Sequence, residues 1–123
     1  MKQKILIVED ETALLYALQA ELSSGGFEIT AVSSGEEGLE KIKNNGFSGV
    51  VLDLVLPGKV DGFEFLRQVK IDDKIKKIPI IVVSNLGAKE NVDRATSLGA
   101  KSYLIKTQNS LEEILKKVKE MLK

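Results

Sequence analysis

In this chain of 123 residues, eighteen basic and eighteen acidic side chains cancel. The length suits one domain with one continuous core, and the balance offers no electrostatic footprint for nucleic acid or an anionic membrane. Histidine and cysteine are both missing, which excludes histidine acid–base catalysis, a phosphohistidine on this chain, thiol nucleophiles, disulfides and zinc held by its usual ligands.

No apolar stretch approaches the ~20 residues that cross a bilayer. The run Ile5-Leu6-Ile7-Val8 behind Met1-Lys2-Gln3-Lys4 is shorter than the roughly 7–15 residues of a signal-peptide core, so a cytoplasmic protein is expected. Ile5 to Val8 reads as a central parallel strand covered on both faces, with Glu9 and Asp10 directly after it. Thr12 to Leu22 sets Leu14, Leu18 and Leu22 on one helical stripe, and Gly25-Gly26 stops that helix. Phe27 to Val32 is a weaker, partly alternating strand suited to an edge. Ser34 with Glu37 resembles a capping box that opens a helix running to Asn45-Gly46.

Gly49 to Asp53 is the third strand, followed by a loop through Pro57, Gly58 and Gly62. Phe63, Leu66 and Val69 mark the third helix, and Ile78 to Val83 the next strand, with Pro79 tolerable near its start. Ser84 closes that run. Val92, Ala95 and Leu98 outline a short helix ending at Gly99. Ser102 to Ile105 is the last strand, with Lys106 after it, and Ser110 opens a final amphipathic helix. Five β/α units imply an α/β domain whose five-stranded parallel sheet is wound on both faces. The weak second strand fits the strand order 2-1-3-4-5 of flavodoxin-like folds.

In such a sheet the C-terminal strand ends share one rim where ligands bind. Glu9, Asp10, Asp53, Ser84, Tyr103 and Lys106 would meet there. No G-x-G-x-x-G or Walker A sequence follows the first strand, so a dinucleotide or P-loop site fails at its defining residues. Asp53 closes an apolar run, where a carboxylate is costly unless compensated. Three acids together repel one another and suit a hard cation. With oxygen as the only ligand type, Mg²⁺ or Mn²⁺ is favoured over zinc. A carboxylate can also accept a phosphoryl group, a reaction that needs cationic and hydrogen-bonding side chains around the transferred oxygens. Lys106 and Ser84 could supply them. Taken singly, each has a plainer alternative: a surface lysine, a helix N-cap. Tyr103 has one too, as a half-buried strand aromatic.

Taken together, Ile-Leu-Ile-Val-Glu9-Asp10-Glu, Val-Val-Leu-Asp53-Leu-Val-Leu-Pro57-Gly58, Asp61-Gly62, Ile-Pro-Ile-Ile-Val-Val-Ser84, Leu98-Gly99-Ala100 and Tyr103-Leu-Ile-Lys106 resemble the receiver domain of bacterial two-component response regulators. The resemblance runs from Lys4 to Leu122. It implies that Asp53 is the phosphoacceptor, served by a phosphohistidine of a sensor histidine kinase or phosphotransfer protein. Asp10, Asp53 and the backbone carbonyl of Val55 would ligate Mg²⁺, with Glu9 acting through a bound water. Lys106 would pair with the phosphoryl oxygens, while Ser84 and Tyr103 would move and alter the helix 4–strand 5–helix 5 face for a downstream protein. The protein would not be an enzyme beyond assisting its own phosphorylation and dephosphorylation.

Several positions depart from that family's pattern. Thr107 follows Lys106 where proline is usual, and a cis bond there would cost ~2.5–4 kcal/mol, so a trans bond or a strained loop is expected. Asn85 replaces a small residue and should restrict access. Val55 and Leu86 are apolar where side chains flank the route of hydrolytic water, which predicts a long-lived aspartyl-phosphate. Residues 1–123 are expected to form one receiver domain with no output module, either monomeric or a weak phosphorylation-dependent dimer. No direct contact with nucleic acid or membrane is expected. Two other readings compete: a phosphorylation-independent binding module, whose signature would be loss of an acid or the lysine, and, more weakly, a phosphohydrolase, which lacks a second acid at Val55.

Overall fold

A computed structural model describes residues 2–44 and 46–123. Its elements follow one another as β1 (Lys4–Val8), α1 (Thr12–Ser24), β2 (Glu28–Val32), α2 (Gly35–Ile42), β3 (Gly49–Leu52), α3 (Gly62–Lys70), β4 (Ile80–Ser84), α4 (Lys89–Ser97), β5 (Ser102–Ile105) and α5 (Leu111–Met121), with a single 3₁₀ turn at Lys106–Gln108. The five strands are parallel in the order β2-β1-β3-β4-β5. This is the doubly wound, flavodoxin-like α/β architecture expected from the alternation of elements.

The continuous apolar runs of β1, β3 and β4 follow from a sheet buried on both faces, since successive side chains point to opposite sides. Leu6, Val8, Val50, Leu52, Ile80 and Val82 enter one core with α2, α3 and Ala95 of α4. Ile5, Ile7, Val51, Ile81 and Val83 enter the other with Leu18 and Leu22 of α1 and Ile114 and Val118 of α5. Of the predicted α1 stripe, Leu14 is only half-buried.

Element ends differ from expectation in instructive places. The first helix stops where Gly26, at φ 99°, takes the left-handed conformation. Its N–H donates to Ser23, and that of Phe27 to Leu22, the paired bonds of a Schellman motif. At α2, the Ser34 hydroxyl accepts from the Glu37 N–H, but the Glu37 carboxylate accepts from the hydroxyls of Ser33 and Ser34 rather than from the Ser34 backbone. The full reciprocal box stands instead at Ser110 and Glu113, opening α5. Helix α2 ends at Ile42, and Asn45, where its end was expected, lies outside the described residues. Strand β4 begins at Ile80 rather than Ile78, because Pro79 has no N–H for the ladder.

Candidate functional site

Strand register decides what meets at the C-terminal rim. Val8 of β1 sits level with Leu52 of β3, and Leu52 with Val82 of β4. The residues just beyond, Glu9 and Asp53, therefore lie side by side, and the Asp53 N–H donates to the Val8 carbonyl at 3.0 Å. Ser84 pairs with Ile105, so Lys106 leaves β5 next to the last residue of β4.

Two of the three acids are buried: Glu9 is 2% and Asp53 5% exposed, while Asp10 is exposed. Their carboxylate oxygens lie within 4.8 Å of one another. The Lys106 side chain, only 13% exposed, inserts its Nζ between the buried pair, 2.9 Å from Glu9 Oε1 and 2.9 Å from Asp53 Oδ2. Glu9 Oε2 also accepts from the Glu11 N–H at 3.0 Å. Burial lifts the Glu9 carboxyl above its usual 4.5, with repulsion from Asp53 adding to it against the hydrogen bonds from Glu11 and Lys106. Burial is also the largest influence on Lys106 and pulls it down, but the hydrogen bonds and charges of Asp53 and Glu9 together hold its ammonium above 10.5.

An open depression of about 400 Å³ is lined by Asp10, Glu11, Asp53, Val55, Ser84, Asn85, Leu86 and Lys106. Val55 is 58% exposed, its N–H directed to Asp53 Oδ1 at 3.4 Å. Ser84 is fully buried in β4 and does not cap α4, whose N-cap is Ala88; its Oγ accepts from the Leu86 N–H at 3.3 Å. Tyr103 lies off the depression's wall, half-buried against the core, and its hydroxyl donates to the Leu86 carbonyl. Burial, then the Asp53 charge, raises its phenol above 10 against a lowering by the Ser84 hydroxyl. Among the described residues no peptide bond is cis, so the Lys106–Thr107 bond is trans, as the absent proline implies.

One residue at the rim escaped sequence reasoning. Glu11 lines the depression and brings its Oε1 within 3.7 Å of Lys106 Nζ. The only signal for it was its place as third in a run of acids.

This donor set has a coherent chemistry. Clustered carboxylate oxygens without nitrogen or sulfur donors match a hard divalent cation. The cluster combines a buried carboxylate, an adjacent ammonium and a hydroxyl, facing an open depression wide enough for a phosphoryl group.

Comparisons with known proteins agree on the kind of domain this is. The family model described as the response regulator receiver domain matches residues 5–119. The chain is 36% identical over 125 residues to the uncharacterized transcriptional regulatory protein YkoG of Bacillus subtilis, covering 99% of this chain and 52% of that protein. It is 32% identical over 123 residues to the phosphate regulon transcriptional regulatory protein PhoB of Rhizobium meliloti, covering 100% of this chain and 53% of that one. The chain thus spans about half the length of these curated relatives. Among solved structures, a receiver domain protein of CheY-like type from Methanospirillum hungatei superposes with a TM-score of 0.90 at 30% identity, covering 99% of this chain and 94% of that one.

Proposed function

The chain belongs to the response regulator receiver domain family, and on that premise we propose that it is a Mg²⁺-dependent phosphoacceptor switch operating through Asp53. The observation that carries this reading is the Lys106 ammonium held between the buried carboxylates of Glu9 and Asp53, with the Asp10 carboxylate beside them. The donor would be a phosphohistidine on a sensor histidine kinase or phosphotransfer protein. An Asp53 oxygen bonds to phosphorus as the phosphorus–nitrogen bond breaks, and the electron pair leaves with the donor's imidazole.

Asp10, Asp53 and the Val55 backbone carbonyl would hold the Mg²⁺, or Mn²⁺, with Glu9 in support. Such an ion, when bound, supplies positive charge against the phosphoryl oxygens. Lys106 would add a point charge once it exchanges Asp53 for the phosphoryl group.

Leu86 links the two switch residues through the peptides on either side of it. Its N–H donates to Ser84 Oγ, and its carbonyl accepts from Tyr103. A Ser84 side chain that moves its Oγ toward the phosphoryl group draws it away from the Leu86 N–H. That loosens the carbonyl that now holds Tyr103 and frees the ring to move. The α4–β5–α5 face would carry the change to a downstream protein in the cytoplasm, a charge-assisted contact biasing a two-state element.

Val55 and Leu86 present apolar side chains to the depression and cannot orient an attacking water, so the phosphorylated form resets slowly. Rapid phosphate loss, unchanged by Val55→Asn, would count against that.

Intact mass after incubation with Mg²⁺ and a small phosphodonor tests the whole reading. The expected result is a phosphoryl adduct that requires Mg²⁺ and vanishes in Asp53→Ala. No adduct from that donor or from a cognate kinase would sink it in favour of a phosphorylation-independent binding module.

A further inference from the structure

The loop between β3 and α3 carries Val55, and its far side is gripped by the start of α2. Glu36 Oε2 accepts from the Lys59 backbone N–H at 3.2 Å, twenty-three residues away in sequence. Gly58 presses on the same carboxylate: a Cβ there would stand 2.6 Å from Glu36 Oε2, and its φ of +82° already disfavours side chains. One residue earlier on α2, a Cβ on Gly35 would come within 2.1 Å of the Val60 carbonyl oxygen, so the two backbones touch with no room for a methyl group. Leu54, Leu56 and Val60 anchor the loop in the core, while Val55 and the 57–59 segment are exposed. The segment from Gly58 to Val60 thus owes its position to α2, and the Glu36 side chain is the adjustable part of that contact.

We propose that Glu36 is a positioning residue for the cation site: by holding the Lys59 amide, it fixes the loop that presents the Val55 carbonyl and so sets the affinity for Mg²⁺. The inference rests on the Mg²⁺ reading given above. Among the described residues, Glu36 makes no hydrogen bond or ion pair with Asp53 or Lys106. Its effect passes through backbone geometry, because a carbonyl ligand contributes only when its peptide is held where the carboxylates converge. The net contribution of one exposed hydrogen bond corresponds to about a fivefold change in affinity.

The test is a Mg²⁺ titration of the full chain and of Glu36→Ala and Glu36→Gln, followed by the NMR shifts of the Val55 and Lys59 amides. Hydrogen exchange of the Lys59 amide is measured alongside. Glu36→Ala should weaken Mg²⁺ binding about fivefold and speed Lys59 exchange, whereas Glu36→Gln, which keeps an acceptor oxygen, should stay within about twofold of the native chain. Native affinity in Glu36→Ala overturns the inference. Equal weakening in both variants also overturns it, since the loss then follows the charge and not the held amide. A native chain that does not respond to Mg²⁺ fails the cation reading itself, and this inference falls with it.

Discussion

Lys106 is the shared ion-pair partner of two carboxylates that are almost wholly buried, and removing it would strand both. Taking away one partner of a buried pair is far more destructive than replacing the pair, because the remaining charge keeps its desolvation cost. For Lys106→Met we expect a loss of about 2–3 kcal/mol at neutral pH, below the fully buried range because the site opens onto the rim; urea unfolding measures it. The variant should regain part of that stability on acidification. Glu9 is already raised above 4.5, chiefly by burial, so the folded chain holds its proton more tightly than the unfolded chain does. Such a group's contribution is present below 4.5 and lost as pH climbs through its raised folded value. Without Lys106 that value rises further, so stability should improve more on acidification in the variant than in the native chain. Equal pH profiles for the two proteins would contradict this account.

Helix ends were partly legible in sequence, and the pattern of success has a physical basis. Ser34 and Ser110 each precede a glutamate by three residues, yet only Ser110 forms the full box. At Ser34 two neighbouring hydroxyls compete for the Glu37 carboxylate, a choice that spacing alone does not record. Ser110→Ala should therefore cost about 1 kcal/mol in denaturant unfolding, while Ser34→Ala should cost less. On α3, Glu64 accepts from Arg67 at both oxygens, at 2.8 and 2.6 Å, and from Gln68. The hydrogen bonds from Arg67 lead in drawing its carboxyl down to about 2. The sign follows from a depressed folded value: this contribution is present above 4.5 and lost as pH falls toward 2. Carboxyl NMR should find the midpoint near that value, and Arg67→Ala should return it most of the way to 4.5.

The architecture was legible as a whole because each central strand is a continuous apolar run and the helices between them bury an apolar face, reduced in α4 to Ala95. Register is where sequence reasoning became structure: Val8 level with Leu52 turns two separate strand ends into the Glu9–Asp53 pair. What stayed hidden came from contacts without a sequence period, such as Glu36 on Lys59, Glu11 near Lys106, and the Leu86 carbonyl on Tyr103. At this scale Mg²⁺ should stabilise the fold by mass action, by about 2.7 kcal/mol at a hundredfold excess over Kd. Thermal unfolding with and without the ion reads this directly, and Asp53→Ala should abolish most of the gain. The Tyr103 contact has a practical consequence as well. The chain has no tryptophan and two tyrosines, and Tyr16 is 65% exposed on α1. A Tyr16→Phe protein would carry a single tyrosine, whose hydroxyl is tied to the Leu86 carbonyl, two residues past Ser84. A phenol bonded to a carbonyl emits differently from one bonded to water, so this one ring would report each turn of the proposed switch as a change in light, with no label attached.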